Sequence, residues 1–242
     1  MVDIEFNSVH FIKLHLRNYG VFLGSNELNF DRHQTFILGR SGTGKTTIVN
    51  ALAQLGPAQG VKANSHALNP EMSVEVVTKG NRKLVNEYGS VIFLSCESTE
   101  LPMFNMDAPS TGILSRQNWE AVRDGAREIF RTMLHRKPWK IEPHKDLSPG
   151  TMAAGERVCL GYAYAFAVRK VLSLDLPVVL DSPYSRLDSQ LRHAVRAFLQ
   201  EQPYQQILLG VESEFDEEGK LDYVLDYIND YSVVIKTLCV EG

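Results

Sequence analysis

Gly39-Arg40-Ser41-Gly42-Thr43-Gly44-Lys45-Thr46 is the stretch on which the rest of the chain hangs. It fits the spacing G-x-x-x-x-G-K-[ST] without a mismatch. An apolar run, Thr35-Phe36-Ile37-Leu38, stands in front of it. Behind it Ile48, Val49, Ala51, Leu52 and Leu55 recur at helical spacing until Gly56-Pro57 stops them. Strand, glycine-rich turn and helix, in that order, make a phosphate-binding loop. The chemistry accounts for the spelling. Glycines let backbone N–H groups turn inward around an anion without a Cβ clash. The helix that follows offers the positive end of its dipole. Lys45 is placed to neutralise the β- and γ-phosphates, and Thr46, with Thr47 beside it, to set a hydroxyl on Mg²⁺. The plainer alternative, a glycine-rich turn with an accidental lysine, does not explain the flanking elements.

Working outward, a P-loop needs a metal-holding acid on a neighbouring strand, and Pro177-Val178-Val179-Leu180 ends in Asp181. Residues 9–16 alternate apolar and polar as a half-buried strand does, Glu27–Phe30 offers another, and Gly80-Asn81 joins Ser73–Thr78 to Lys83–Glu87 as a hairpin. Val91–Ser95, Gln206–Val211 and Ser232–Thr237 read as further strands. Trp119–His135, Gly155–Val171 and Ser189–Gln200 read as helices, the first with a stripe of Trp119, Val122, Ala126, Phe130 and Met133. Tyr223, Tyr227 and Tyr231 recur every fourth position, which predicts a helix face near the C-terminus. Strands alternating with helices mean α/β, with an added antiparallel β hairpin.

The 242 residues carry 25 Lys and Arg against 29 Asp and Glu, a net charge of −4, and are 44% hydrophobic and 22% charged. That is an ordinary globular composition and excludes a disordered, collagenous or membrane-spanning chain. The longest apolar runs fall well short of the roughly 20 residues a bilayer demands. Val2-Asp3-Ile4-Glu5 is the wrong chemistry for a secretory leader. Cys96, Cys159 and Cys239 are odd in number and far apart, so neither a disulfide framework nor a zinc site is expected, and a reducing cytoplasm is. The histidines have no metal-like spacing. The slightly acidic balance excludes a wholly basic nucleic-acid binder, not a basic face.

Asp181-Ser182-Pro183-Tyr184-Ser185-Arg186-Leu187-Asp188 resembles the block D-E-P-T-S-A-L-D of ABC ATPases, in which Walker B runs into the D-loop. Met152-Ala153-Ala154-Gly155-Glu156-Arg157 and the helix after it look like the signature L-S-x-G-E-R, in the version carried by the SMC-like, RecF-like and DNA-repair branch. Leu16-Arg17-Asn18-Tyr19 and Val91–Glu97 are similar to that branch's N-terminus and Q-loop strand. Asp181–Ser189 with Gln206–Glu214 looks closest to the ATPase of the DNA sulfur-modification (Dnd) system. The resemblance covers most of the chain. It implies a P-loop NTPase of the ABC-head kind, with a mixed central sheet and a helical subdomain, as one head over 1–242 (core about 1–98 and 147–242, helical insertion about 99–146). It also implies an ATPase that binds ATP and Mg²⁺ and forms a homodimer across ATP. Gly39, Arg40, Ser41, Gly42, Thr43, Gly44, Lys45, Thr46 and Thr47 would hold the nucleotide, Thr46 and Asp181 the metal, and Ala153, Gly155 and Asp188 would meet the partner's nucleotide. The setting implied is DNA repair, DNA modification or defence against foreign DNA, with DNA or proteins of a DNA-processing system as partners and no membrane.

The departures carry consequences. Ser182 stands where the catalytic Glu is usual; it can hydrogen-bond a water but is no base near neutral pH. Either Glu212 or Glu214, at the place of a missing switch His, takes the role with Lys45 and Asp181, or the protein hydrolyses slowly and acts as a nucleotide-gated clamp that recruits a partner such as a nuclease. The plainer reading of both glutamates is a solvated strand end. Ala153 falls on the signature Ser, unless Leu147-Ser148-Pro149-Gly150 is the signature. Glu156 also suits a helix start and Asp188 an N-cap. SMC-type proteins insert a long coiled coil between these motifs, whereas the stretch from Lys45 to Gly155 has no heptad pattern. It reads as a head without an arm, naturally or because the arm was removed. Arg123, Arg127 and Arg131 form a stripe that could contact DNA phosphates, but Glu120, Asp124 and Glu128 interleave with it and favour a solvated face. Trp119 and Trp139 read as packing residues.

Overall fold

A computed structural model describes residues 10–53, 70–78, 81–85, 92–95, 116–134, 153–173, 175–215, 221–229 and 232–238. Its strands and helices belong to two compact units.

The first unit comprises Met1–Ser95, Asp175–Pro183 and Tyr204–Gly242. In chain order its elements are β1 (His10–Arg17), β2 (Ser25–Asn29), β3 (Gln34–Gly39), α1 (Lys45–Ala53), β4 (Glu71–Thr78), β5 (Asn81–Val85), β6 (Ile92–Ser95), β7 (Val178–Asp181), β8 (Gln206–Gly210), the single turn Glu212–Phe215, β9 (Tyr223–Asn229) and β10 (Ser232–Thr237). Six strands form a mixed sheet in the order β10-β9-β3-β8-β7-β6; four form an antiparallel one in the order β2-β1-β4-β5. The expected hairpin is thus one side of a complete small sheet. In β1 a bulge between Phe11 and Lys13 breaks the strict alternation, so that Phe11, Leu14 and Leu16 are all buried. The central strands are apolar throughout because both their faces are covered: Val178–Asp181 and Gln206–Gly210 are buried at every position.

One buried side chain ties the two sheets together. Gln205 accepts from Phe11 N–H at 2.8 Å and donates to the carbonyls of Phe11 and Phe30, both at 2.8 Å. Asp222, just before β9, binds within the six-stranded sheet, accepting from Phe36 N–H of β3 at 2.8 Å and from Arg32 at 2.6 Å.

The predicted tyrosine helix is not there. Tyr223 and Tyr227 lie on β9, which pairs parallel with β3 and antiparallel with β10. A repeat of four is also two strand periods, so tyrosines that would line a helix face line a strand face equally well. Tyr231 lies outside the described residues.

The second unit comprises Cys96–Leu174 and Tyr184–Pro203. It holds α2 (Arg116–Leu134), α3 (Ala154–Leu172) and α4 (Ser189–Glu201), so it takes in more chain than residues 99–146. Val122, Ala126, Phe130 and Met133 of α2 are buried as the stripe predicts, and Trp119 packs flat against Tyr164 of α3 with ring centres 6.1 Å apart. Phe166 and Phe198 meet edge to face at 5.1 Å, which joins α3 to α4. Cys159 is buried in α3.

Candidate nucleotide site

Strand order places the site. β8 lies between β3 and β7, and all three run parallel, with Leu38 level with Gly210 and Leu209 level with Asp181. Their C-terminal tips therefore sit side by side, roughly 5 Å from strand to strand. In open α/β sheets that edge is where ligands bind. From the tip of β3 springs the glycine-rich bend; from that of β7, Asp181 and Ser182; from that of β8, between them, Glu212 and Glu214.

Within the bend, Gly42 and Gly44 have φ of +83° and +94°, which side-chain-bearing residues rarely adopt. The Thr43 hydroxyl donates to Arg40 O at 2.8 Å and its side chain is buried, so this position closes the loop from inside. Lys45 folds over the bend, its ammonium donating to Gly39 O at 2.6 Å and Arg40 O at 3.1 Å. Thr46 is exposed in the first turn of α1, whereas Thr47 packs against Gly20 in the turn after β1. Val21 and Phe22 of the same turn fill the space beside Gly44. The sequence reading missed this flank, although Gly20 marked it: its φ is +59° and a Cβ there would strike Thr47.

Asp181 is only 8% exposed. Ser182 beside it is equally buried and has φ of +52°, an unusual conformation for a non-glycine residue; its N–H donates to Leu209 O at 2.7 Å. The two glutamates behave differently. Glu214 is 2% exposed and turns its carboxylate back to accept from Val211 N–H at 3.1 Å. Glu212 is exposed at the start of its turn. Beyond the bend, Tyr227 on β9 touches it with its hydroxyl, a neighbour nothing in the motif announced. Lys236 holds the neighbouring Asp226 carboxyl below the usual carboxylate range, with the Tyr227 amide and the Arg40 guanidinium contributing less.

The signature residues gather in the helical unit. Ala153, Gly155, Glu156, Arg186 and Asp188 line a groove of about 880 Å³ beside the starts of α3 and α4. Each has a local duty there. Glu156 accepts from Ala153 N–H at 2.9 Å and so caps α3, and Asp188 caps α4 by accepting from Leu191 N–H at 2.9 Å. Gly155 is buried, and a Cβ on it would come within 3.0 Å of Arg186 O. On α2, Arg127 pairs with Asp124 at 3.0 Å. Burial pushes the Tyr164 phenol up against the opposing pull of Arg127 and Arg123. Part of the basic stripe therefore faces α3 and its own acids. Among the described residues no group of three His, Cys, Asp or Glu is placed to hold a metal, and no helix is long and apolar enough to cross a membrane.

The pattern of an AAA domain matches residues 13–55, β1 through the phosphate loop. Two sulfate/thiosulfate import ATP-binding proteins, both called CysA and both from Bacillus cereus strains, are 23% and 22% identical over 93% and 85% of this chain. The chain spans 58% and 54% of their lengths. Among solved structures, the SMC head domain from Thermotoga maritima superposes with a TM-score of 0.63 at 15% identity, over 96% of this chain and all of that one. An Smc head bound to the C-winged helix domain of ScpA gives 0.65 at 16% identity, over 96% of this chain and 98% of that one. One with an extended coiled coil, derived from Pyrococcus furiosus, gives 0.58 at 12% identity over 96% and 97%. The chain has the mixed α/β fold of the SMC-head P-loop ATPases.

Proposed function

We propose that the chain is an ATPase head of the ABC type, of the SMC-like, RecF-like and DNA-repair branch, which binds Mg-ATP, pairs with a second copy around it and serves a cytoplasmic DNA-related process: repair, DNA modification or defence against foreign DNA. The observation that carries this is the alignment of three parallel strand tips, which sets the phosphate loop, the Glu212 turn and Asp181 on one sheet edge. The residues there suit the ligand. Positive φ at Gly42 and Gly44 forms the backbone concavity that anions occupy, and Lys45 supplies the charge contact. Thr46 and Asp181 offer the hard oxygen donors magnesium prefers, the remaining positions falling to phosphate and water. Magnesium, when bound, contributes charge neutralisation at the phosphates.

Glu212 is the better placed of the two acids to activate a water, since Glu214 is occupied with Val211 N–H. Ser182, buried and conformationally constrained, does not replace a base, so turnover is slow. A second reading follows from the same residue: a head impaired in hydrolysis acts as an ATP-gated dimerisation module for a partner such as a nuclease. The DNA setting rests on the Gly155-Glu156-Arg157 spelling, and kinship to the Dnd ATPase on Asp181–Ser189 with Gln206–Glu214. The structural relatives solved with ScpA domains make a protein partner for this head a reasonable expectation.

Phosphate release from Mg-ATP tests the choice. Replacing Glu212 by Gln lowers release by about a hundredfold or more, on the order of what a positioned general base contributes, with ATP affinity unchanged. Tight binding without release by the unaltered chain selects the clamp; no binding rejects both.

A further inference from the structure

Behind the phosphate loop, β9 holds a contact that the motif does not require. Tyr227 is 44% exposed, yet its hydroxyl donates to Ser41 O at 3.3 Å. A Cβ on Gly42 would come within 2.8 Å of the same hydroxyl, so the tyrosine lies directly against the Ser41–Gly42 peptide. In a trans peptide the carbonyl and the following N–H point in opposite directions. A donor that holds Ser41 O on the β9 side therefore turns Gly42 N–H away from β9 and into the bend. Gly42, with φ of +83°, lets the next N–H groups converge on the same side. One residue earlier Asp226 accepts from Lys236 at 2.5 Å, which ties this part of β9 to β10.

We infer that Tyr227 is a positioning residue of the phosphate loop: by holding Ser41 O it aims Gly42 N–H at the phosphates of a bound nucleotide. This presupposes the nucleotide site proposed above. It also gives a reason for a large ring to remain half-exposed on a strand that sequence periodicity alone would have made a helix.

The test compares the full chain with its Tyr227→Phe variant, which keeps the ring and removes only the hydroxyl. Mg-ATP affinity by calorimetry falls roughly three- to tenfold, the worth of one net hydrogen bond. The thermal midpoint without nucleotide stays where it was. In ¹⁵N-labelled protein the Gly42 amide resonance moves less on addition of Mg-ADP than in the unaltered chain. Equal affinity in the two proteins overturns this inference and leaves the nucleotide site standing. A loss of affinity accompanied by a fall in the thermal midpoint assigns Tyr227 a merely structural part and overturns it as well. If the unaltered chain binds no Mg-ATP, the nucleotide site and this inference fall together.

Discussion

The bend Gly39–Thr46 and the start of α3 at Ala153–Glu156 carry two motifs of the same proposed ATPase, and they differ in what occupies their residues. In the bend, positive φ at Gly42 and Gly44, which glycine adopts freely, shapes a backbone concavity, and an ammonium rests on its carbonyls. At the signature, each residue has an intramolecular partner: Glu156 and Asp188 cap helices, and Gly155 clears the carbonyl of Arg186. The lesson is that a motif match has different evidential weight in the two places. Residues that form a backbone concavity and carry a cation beside it point to an anionic ligand. Residues already explained by caps and packing keep the nucleotide role as a second duty.

Three substitutions break or sharpen that contrast. The largest effect is expected for Lys45→Ala. Its ammonium rests on the Gly39 and Arg40 carbonyls of the bend, so the fold survives while Mg-ATP affinity and phosphate release fall roughly 100-fold. A loss of thermal stability comparable to the loss of binding would make Lys45 a structural residue and erase the difference between the regions. Next is Gly155→Ala, which should lower unfolding free energy by about 1–3 kcal/mol in a denaturant titration, because the Arg186 carbonyl it meets is backbone and yields little. Unchanged stability with lost ATP-dependent dimerisation would show instead that Gly155 is kept for a second copy. The smallest is Asp188→Ala, costing about 1 kcal/mol of stability through loss of the α4 cap, with Asp188→Asn restoring most of it because Asn caps as well as Asp. Should Asn restore stability but not dimerisation, the carboxylate itself has work beyond the cap.

Much of the site was legible from the chain alone, for a local reason. Backbone conformations that only glycine adopts freely, followed by Lys and Thr on a helix start, are written in consecutive residues. So is a buried strand ending in an acid. β9 was not legible, because a four-residue tyrosine repeat satisfies both a helix and a strand face, and only pairing with β3 decides between them. Nor did anything in Gln205 announce that one amide would bind the backbone of Phe11 and Phe30, almost the whole length of the core unit away in sequence. The contrast between Glu212 and Glu214, alike in the sequence, comes from which one folds back onto Val211 N–H.

What the residues determine by themselves is therefore the glycine-rich bend between β3 and α1, the acid at the end of β7, the amphipathic helix α2 and the α/β class. Each follows from steric and hydrophobic preferences acting within a few positions. The tertiary structure alone decided that β8 separates β3 from β7, that Tyr227 backs the loop, and that the signature residues cap and pack their own helices. Those are long-range choices, made by strand pairing and burial between segments that local preference leaves undecided.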